Sequence, residues 1–150
     1  MIRKRLKALG NPLVEALPDL QGTGVRIKRF RKACVDFHWH FHREIELVYV
    51  ERGSGVRYVG AAMEPFGDGD LCLIGSNIPH AFGSGPSQRS GAEWLVGHFL
   101  PEDWGAAFWQ LPENQRIVAL LSRSRHGICF SGRLDRALEG CLARLGELDG

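Results

Sequence analysis

In His38-Trp39-His40-Phe41-His42-Arg43-Glu44-Ile45-Glu46 an ionisable side chain recurs at every second residue. An extended strand sends alternate side chains to one face, so this spacing predicts three imidazoles and two carboxylates pointing the same way. The following run, Ile45-Glu46-Leu47-Val48-Tyr49-Val50, is rich in β-branched, aromatic and apolar residues, the composition of a strand that enters a core. Ionisable groups buried there without partners cost several kcal/mol each, so something must compensate them. A metal ion or a polar ligand would do so.

Composition excludes little else. A chain of 150 residues that is 44% hydrophobic and 24% charged suits one domain with a real core. A net charge of +2 does not advertise nucleic acid, and the basic runs Arg3 to Lys7 and Arg26 to Lys32 read first as solvated faces. The apolar residues near the N-terminus are too broken for a signal peptide, and no segment is long and apolar enough to span a membrane. Cys34, Cys72, Cys129 and Cys141 lie far apart with no C-x-x-C pair, which points to reduced thiols and a cytoplasmic protein.

Short glycine-punctuated strands are expected near 25–30, 34–39, 43–51, 55–60, 71–75 and 93–100, the spacing of a sandwich or barrel. Arg52-Gly53-Ser54-Gly55 reads as a hairpin turn, Gly67-Asp68-Gly69-Asp70 as a reversal, and Gly83 to Gly91 as a loop. After Pro101 the pattern becomes helical. A helix is expected from Trp104 to Trp109 and another from Glu113 to about Arg125, with Ile117, Leu120 and Leu121 on one stripe and Gly127 past its end. A last helix is expected after Ser131 as its N-cap. Its residues Leu134, Leu138, Cys141, Leu145 and Leu148 follow steps of four and three, the rhythm of a helix seam. The stripe serves either as a dimer interface or as packing on the chain's own sheet.

Gly69-Asp70-Leu71-Cys72-Leu73-Ile74-Gly75 to Pro79-His80 reads as a turn, a buried strand and a rigid turn that ends in histidine. If that strand neighbours the first in a small barrel, His80 joins His40, His42 and Glu46 around one point. Three nitrogens and one oxygen suit a divalent transition metal such as Zn, Ni, Fe or Mn.

His40-x-His42, Glu46 and Gly53 together resemble the first cupin motif, and Gly69, Gly75, Asn77, Pro79 and His80 resemble the second with substitutions. The likeness is closer still to the N-terminal effector-sensing domain of AraC-type transcription regulators. It is carried by His40 to Val50, Gly53-Ser54-Gly55 to Gly60, Gly69-Asp70-Leu71 to His80, and Leu111-Pro112-Glu113 to Gly127-Ile128-Cys129-Phe130, in the family's order. The resemblance implies a mainly β fold, the cupin double-stranded β-helix or jelly-roll barrel, followed by C-terminal α-helices. It divides the chain into an effector-binding barrel with an N-terminal arm, 1–100, and a helical dimerisation or linker region packed on it, 101–150. In such a regulator helix-turn-helix units would follow Gly150, so DNA is a partner only through a region absent from this chain. The family's first glycine falls at Cys34, its second-motif proline at Gly75 and its glycine at Asn77; these positions shape turns rather than supply ligands.

His38, His40, His42, Glu44, Glu46, His80 and His98 are therefore the candidates to contact a small polar effector. His38 and Glu44 fall outside the four-ligand pattern, and support of the ligands or a place on the pocket rim suits them best. His98 alternates with Trp94 and Val96, and a histidine on an apolar face is more often a packing residue. His126 near a helix end belongs to that end's carbonyls, and Phe37, Trp39 and Phe41 face away from the histidines. Two functions follow: a sensor whose ligand governs a homodimer and its DNA binding, or a small free-standing metal-dependent cupin enzyme of oxygenase or isomerase type. The helical C-terminal third favours the sensor. Only Glu44 or His38 offers itself as an acid or base for turnover.

Overall fold

A computed structural model of the chain describes residues 10–18, 20, 24–33, 35–84, 91–130 and 136–147. Ten strands form two sheets among these residues: β1 (Leu13–Val14), β2 (Val25–Lys32), β3 (His40–Phe41), β4 (Ile45–Arg52), β5 (Gly55–Val59), β6 (Ala62–Phe66), β7 (Leu71–Ile74), β8 (His80–Ser84), β9 (Ala92–Phe99) and β10 (Ile128–Phe130). One sheet has the order β1-β3-β8-β5-β6, the other β10-β7-β4-β9-β2. Consecutive strands alternate between the sheets or fold back within one, as in a jelly roll. Three α-helices follow or flank the last strand: α1 (Gly105–Gln110), α2 (Gln115–Ser124) and α3 (Arg136–Gly146).

The two-residue period of the strands explains the layers. On β4, Val48 and Val50 face inward and meet Cys72, Ile74, Trp94, Val96, Phe66 and Phe82 in the core between the sheets. The alternate residues Leu47 and Tyr49 face outward, where Leu71, Leu95, Ile27 and Phe130 join Leu142 and Leu145 of α3 in a second cluster. Helix α3 thus covers the outer face of the sheet whose inner face carries Glu46. Leu142 is 2% exposed, Leu138 is 39% exposed and Cys141 is exposed. The buried contact therefore falls one position beyond Cys141 in the expected stripe. Leu134 and Leu148, like Ser131 and Cys34, lie outside the described residues.

Several expectations need correction. The alternation from His38 to Glu46 does not form one strand: residues 35–39 have no regular structure and the chain bends at Arg43 and Glu44, between β3 in one sheet and β4 in the other. The Arg52 to Gly55 turn is not a hairpin, because β4 pairs with β7 and β9 while β5 pairs with β6 and β8. It carries the chain from sheet to sheet. Strands β1, β6, β8 and β10 were not expected, since each is short or interrupted by polar residues and owes its pairing to neighbours distant in sequence. Among the described residues no helix is long and apolar enough to cross a membrane.

Helix α2 ends as its sequence suggests: Gly127 adopts φ 71° and its N–H donates to the Ser124 carbonyl at 2.8 Å. Gly75 packs against that same end. Its N–H donates to Ser124 O at 2.9 Å, and a Cβ on Gly75 would stand 2.8 Å from the Ser124 carbonyl oxygen. Proline would remove this donor. A side chain there would also collide with α2, so the departure from the cupin pattern has a local cause.

Candidate functional site

The bend at Arg43 and Glu44 and the turn before His80 bring the site together. Asn77 adopts φ 58°, a left-handed conformation that asparagine tolerates better than most residues, and its N–H donates to the His42 carbonyl at 2.8 Å. This hydrogen bond ties the turn before His80 to the segment that carries His40 and His42. His80 then begins β8 directly opposite His40 on β3, and the two rings meet at a centroid distance of 4.2 Å. Across the barrel, Glu46 on β4 stands between Ile74 of β7 and His98 of β9.

Glu46 is the hub. Its Oε2 accepts hydrogen bonds from His42 Nε2 at 3.0 Å and His98 Nε2 at 2.9 Å, and lies 3.5 Å from His80 Nε2. At that separation the His80 contact is an ion pair whenever His80 is protonated, and His80 Nε2 has no hydrogen-bond partner although the residue is 1% exposed. Burial pushes the Glu46 carboxyl up, but the charge of His80 and the hydrogen bonds from the imidazoles outweigh it and hold the group well below the usual carboxylate range. Burial works against a charge on His80, yet the carboxylate of Glu46 and the Ile78 carbonyl raise it above an ordinary histidine. His40 is shifted the other way by burial and by neighbouring His80.

One donor atom each from His40, His42, Glu46 and His80 lies within 4.8 Å of every other. The sequence therefore picks out a cluster that the fold assembles, although by two sheets meeting rather than by one strand's parity. His40 Nε2 contacts Glu15 Oε2 at 2.9 Å. Glu15 reaches it because β1 runs parallel to β3, its N–H donating to the Phe41 carbonyl at 2.9 Å. His42 Nδ1 lies 3.1 Å from the Glu44 carbonyl and 3.6 Å from Glu44 Oε2. Glu44 thus touches His42 rather than the cavity.

A cavity of about 210 Å³ opens beside the cluster. His38, His40, Glu46, His80 and His98 line it; His42 and Glu44 do not. Its other walls were not singled out in the sequence: Arg26, Lys32 and Phe30 from β2, with Phe82, Trp94 and Val96. The signal was present, because Arg26, Lys28, Phe30 and Lys32 alternate, but a basic run looks like a solvated face until β9 is seen beside it. Arg26 pairs with His98 across β2 and β9, which places a guanidinium in line with His98 and Glu46. Besides His80 Nε2, three buried atoms on the cavity walls have no hydrogen-bond partner: Arg26 Nε, Trp94 Nε1 and His98 Nδ1. Buried polar atoms are rarely left so without a ligand or water to meet them.

Residues 24–149 match the AraC-like ligand binding domain family. The chain belongs to that family. No curated protein matches it in sequence. Among solved structures, ToxT from Vibrio cholerae is similar over 83% of this AraC-like domain and 48% of its own chain, at 9% identity and a TM-score of 0.56. A structure of ToxT from Vibrio cholerae O395 bound to (E)-4-(8-methylnaphthalen-1-yl)but-3-enoic acid gives the same coverage and TM-score at 7% identity. A cupin 2 conserved barrel domain protein from Rhodopseudomonas palustris is 20% identical, covering 73% of this chain and 76% of its own, with a TM-score of 0.46. The AraC-like domain thus spans about half the length of ToxT. At these identities the likeness is one of fold.

Proposed function

We propose that this AraC-like domain senses a small polar effector in the cavity beside the histidine cluster and passes the signal to a cytoplasmic transcription regulator's DNA-reading helices. The observation that carries this reading is the set of unpartnered buried atoms on the cavity wall. Arg26 Nε and Trp94 Nε1 donate, so they call for acceptors such as a carboxylate or hydroxyl oxygen. When neutral His98 donates from Nε2 to Glu46, its Nδ1 accepts, which suits a hydroxyl or amine on the same effector. Phe30, Phe82 and Val96 supply apolar surface for the carbon frame. A small hydroxy acid or sugar acid satisfies all of these groups.

The same cluster fits a divalent transition metal. Its donor set is three imidazoles and one carboxylate, and His80 Nε2 is a buried nitrogen without a hydrogen-bond partner. His40, His42, Glu46 and His80 would hold the ion, His40 exchanging its contact with Glu15. Bound there, Zn, Ni, Fe or Mn would offer a Lewis-acidic position to an oxygen of the effector.

The path from cavity to assembly is one sheet thick. β4 and β9 carry Glu46 and His98 on the inner face and Leu47 and Leu95 on the outer face, against Leu142 of α3. A ligand that shifts the inner face would bias the position of α3, and through it a homodimer formed along the exposed Leu138 and Cys141. The division into an effector barrel, 1–100, and a helical dimerisation region, 101–150, is part of this proposal. The enzyme alternative would need an acid or base at the cavity. Of the two candidates, His38 lines the cavity, whereas Glu44 is turned towards His42.

Thermal unfolding with a panel of small hydroxy acids, sugar acids and sugars, each with and without divalent metal, tests the reading. A true effector at a hundredfold excess over its Kd should stabilise the domain by about 2.7 kcal/mol and be recovered unchanged. A stabilising compound that is consumed would make the domain an enzyme, and no stabilisation across the panel would remove the effector class proposed.

A further inference from the structure

Cys72 and Cys129 stand directly opposite each other on the antiparallel pair β7 and β10, with their Sγ atoms 3.5 Å apart. Opposed residues in such a pair have Cα atoms about 4.5 to 5.5 Å apart, inside the range that a disulfide spans. The two thiols have unlike surroundings. Cys72 is 2% exposed and belongs to the core between the sheets, whereas Cys129 is exposed on β10, the edge strand.

A second cavity, separate from the histidine cluster, opens on Cys129 and is lined by Arg57, Glu64 and His126 among others. Arg57 is buried there, its Nη1 donating to Asp70 at 2.9 Å and its Nη2 to Glu64 at 3.1 Å, while its Nε has no partner. A hydrogen bond from Cys72 lowers the Cys129 thiol; burial opposes it, and the Arg57 charge adds to the lowering. The same bond and burial raise Cys72. Exposure leaves Cys129 as the sulfur that a small oxidant can reach, and burial keeps Cys72 beside it in the core.

We propose that Cys129 and Cys72 form a reversible oxidation site for small hydroperoxides, with Cys129 attacking first and Cys72 closing an intrachain disulfide. The Cys129 thiolate attacks one peroxide oxygen, the O–O bond breaks, and the departing oxygen takes a proton and leaves as water or an alcohol. Cys129 becomes a sulfenic acid. Cys72 then loses its proton and attacks the Cys129 sulfur; the S–O bond breaks and water leaves. Two thiols and one hydroperoxide give one disulfide, one alcohol or water, and one water. The two sulfurs supply the electrons that the peroxide accepts, and a dithiol reductant reverses the change. The bond would tie β10, which precedes α3, to β7, which precedes the turn carrying His80.

The full chain, reduced and desalted, is treated with one equivalent of hydrogen peroxide, quenched with an alkylating agent and mapped by mass spectrometry. The expected product joins the Cys72 and Cys129 peptides within one chain, while Cys141 is recovered alkylated. The melting temperature rises by roughly 5 °C or more, and a dithiol reverses both changes. Cys72→Ala should stop at a sulfenic acid on Cys129 that a dione probe traps. If that variant does not fold, Cys129→Ser at the exposed position carries the test and should form no link. Alkylation of Cys129 no faster than Cys141, peroxide products that link chains through Cys141, or direct overoxidation of Cys129 in the parent would each overturn the proposal.

Discussion

Glu46 and His98 face each other across β4 and β9, and His98 Nε2 donates to Glu46 Oε2 at 2.9 Å. Their positions are 52 residues apart, so only the register of the sheet joins them. The contact makes His98 part of the polar hub rather than a packing residue. It also leaves Nδ1 of this cavity-lining residue a buried atom without a partner. His98→Leu should therefore weaken effector binding more than it alters metal content, which calorimetric titration and elemental analysis read separately.

Metal content should depend on His42. Elemental analysis of the protein reconstituted with Zn, Ni, Fe or Mn salts should give about one ion per chain for the parent, a sharp drop for His42→Ala, and no change for His126→Ala. His126 is exposed at the end of α2 and borders the Cys129 cavity instead. A parent that holds no ion after reconstitution would reduce the cluster to a polar pocket.

The wall donors should be separable from the cluster. Trp94→Phe keeps the ring but removes Nε1–H, and loss of one buried hydrogen bond to the effector costs about 1 kcal/mol, roughly fivefold in Kd. Arg26→Met removes a charge-assisted contact and should cost tenfold or more. Unchanged affinity in both variants would exclude this wall as the binding surface.

Stability of the metal-free protein should carry the signature of the Glu46 and His80 pair. Glu46 is lowered, so its contribution is present above the unfolded value near 4.3 and is lost as pH falls through the folded one. His80 is raised, so its contribution is present below about 6.5 and is lost as pH rises through its folded value. His40, lowered by burial and by His80, acts in the opposite sense and destabilises the fold below about 6.5. The advantage of the chelator-treated parent over Glu46→Gln should be greatest between about pH 4.3 and 6.5 and shrink on both sides. Denaturant midpoints across that range measure it.

Helix α3 should show two separable roles. Leu142→Ala removes a side chain buried against Leu71 and Leu95 and should destabilise the domain by about 2 to 4 kcal/mol. Leu138→Glu, at an exposed position, should leave the melting temperature nearly unchanged and weaken a dimer measured by sedimentation. A parent that sediments as a monomer at high concentration would remove the homodimer.

While the jelly roll came from the family resemblance, the sequence by itself determined a β sandwich or barrel followed by helices, because alternation is local: β4, β7 and β9 lie where apolar periodicity puts them, and Gly127 stops α2 through its own backbone freedom. It also named the residues of the cluster, since His40, His42, Glu46 and His80 stand at a recognisable spacing. Only the tertiary structure decided how they meet. The bend at Arg43 and Glu44 sends His40 and Glu46 into different sheets, so their convergence depends on the closure of the barrel and not on one strand's parity. The place of Arg26 and Trp94 on the cavity wall, the contact of His98 with Glu46, the burial of Leu142, and the pairing of Cys72 with Cys129 were equally beyond sequence reading. Each rests on strand register or helix docking between residues far apart in the chain, and neither leaves a local pattern for composition or spacing to reveal.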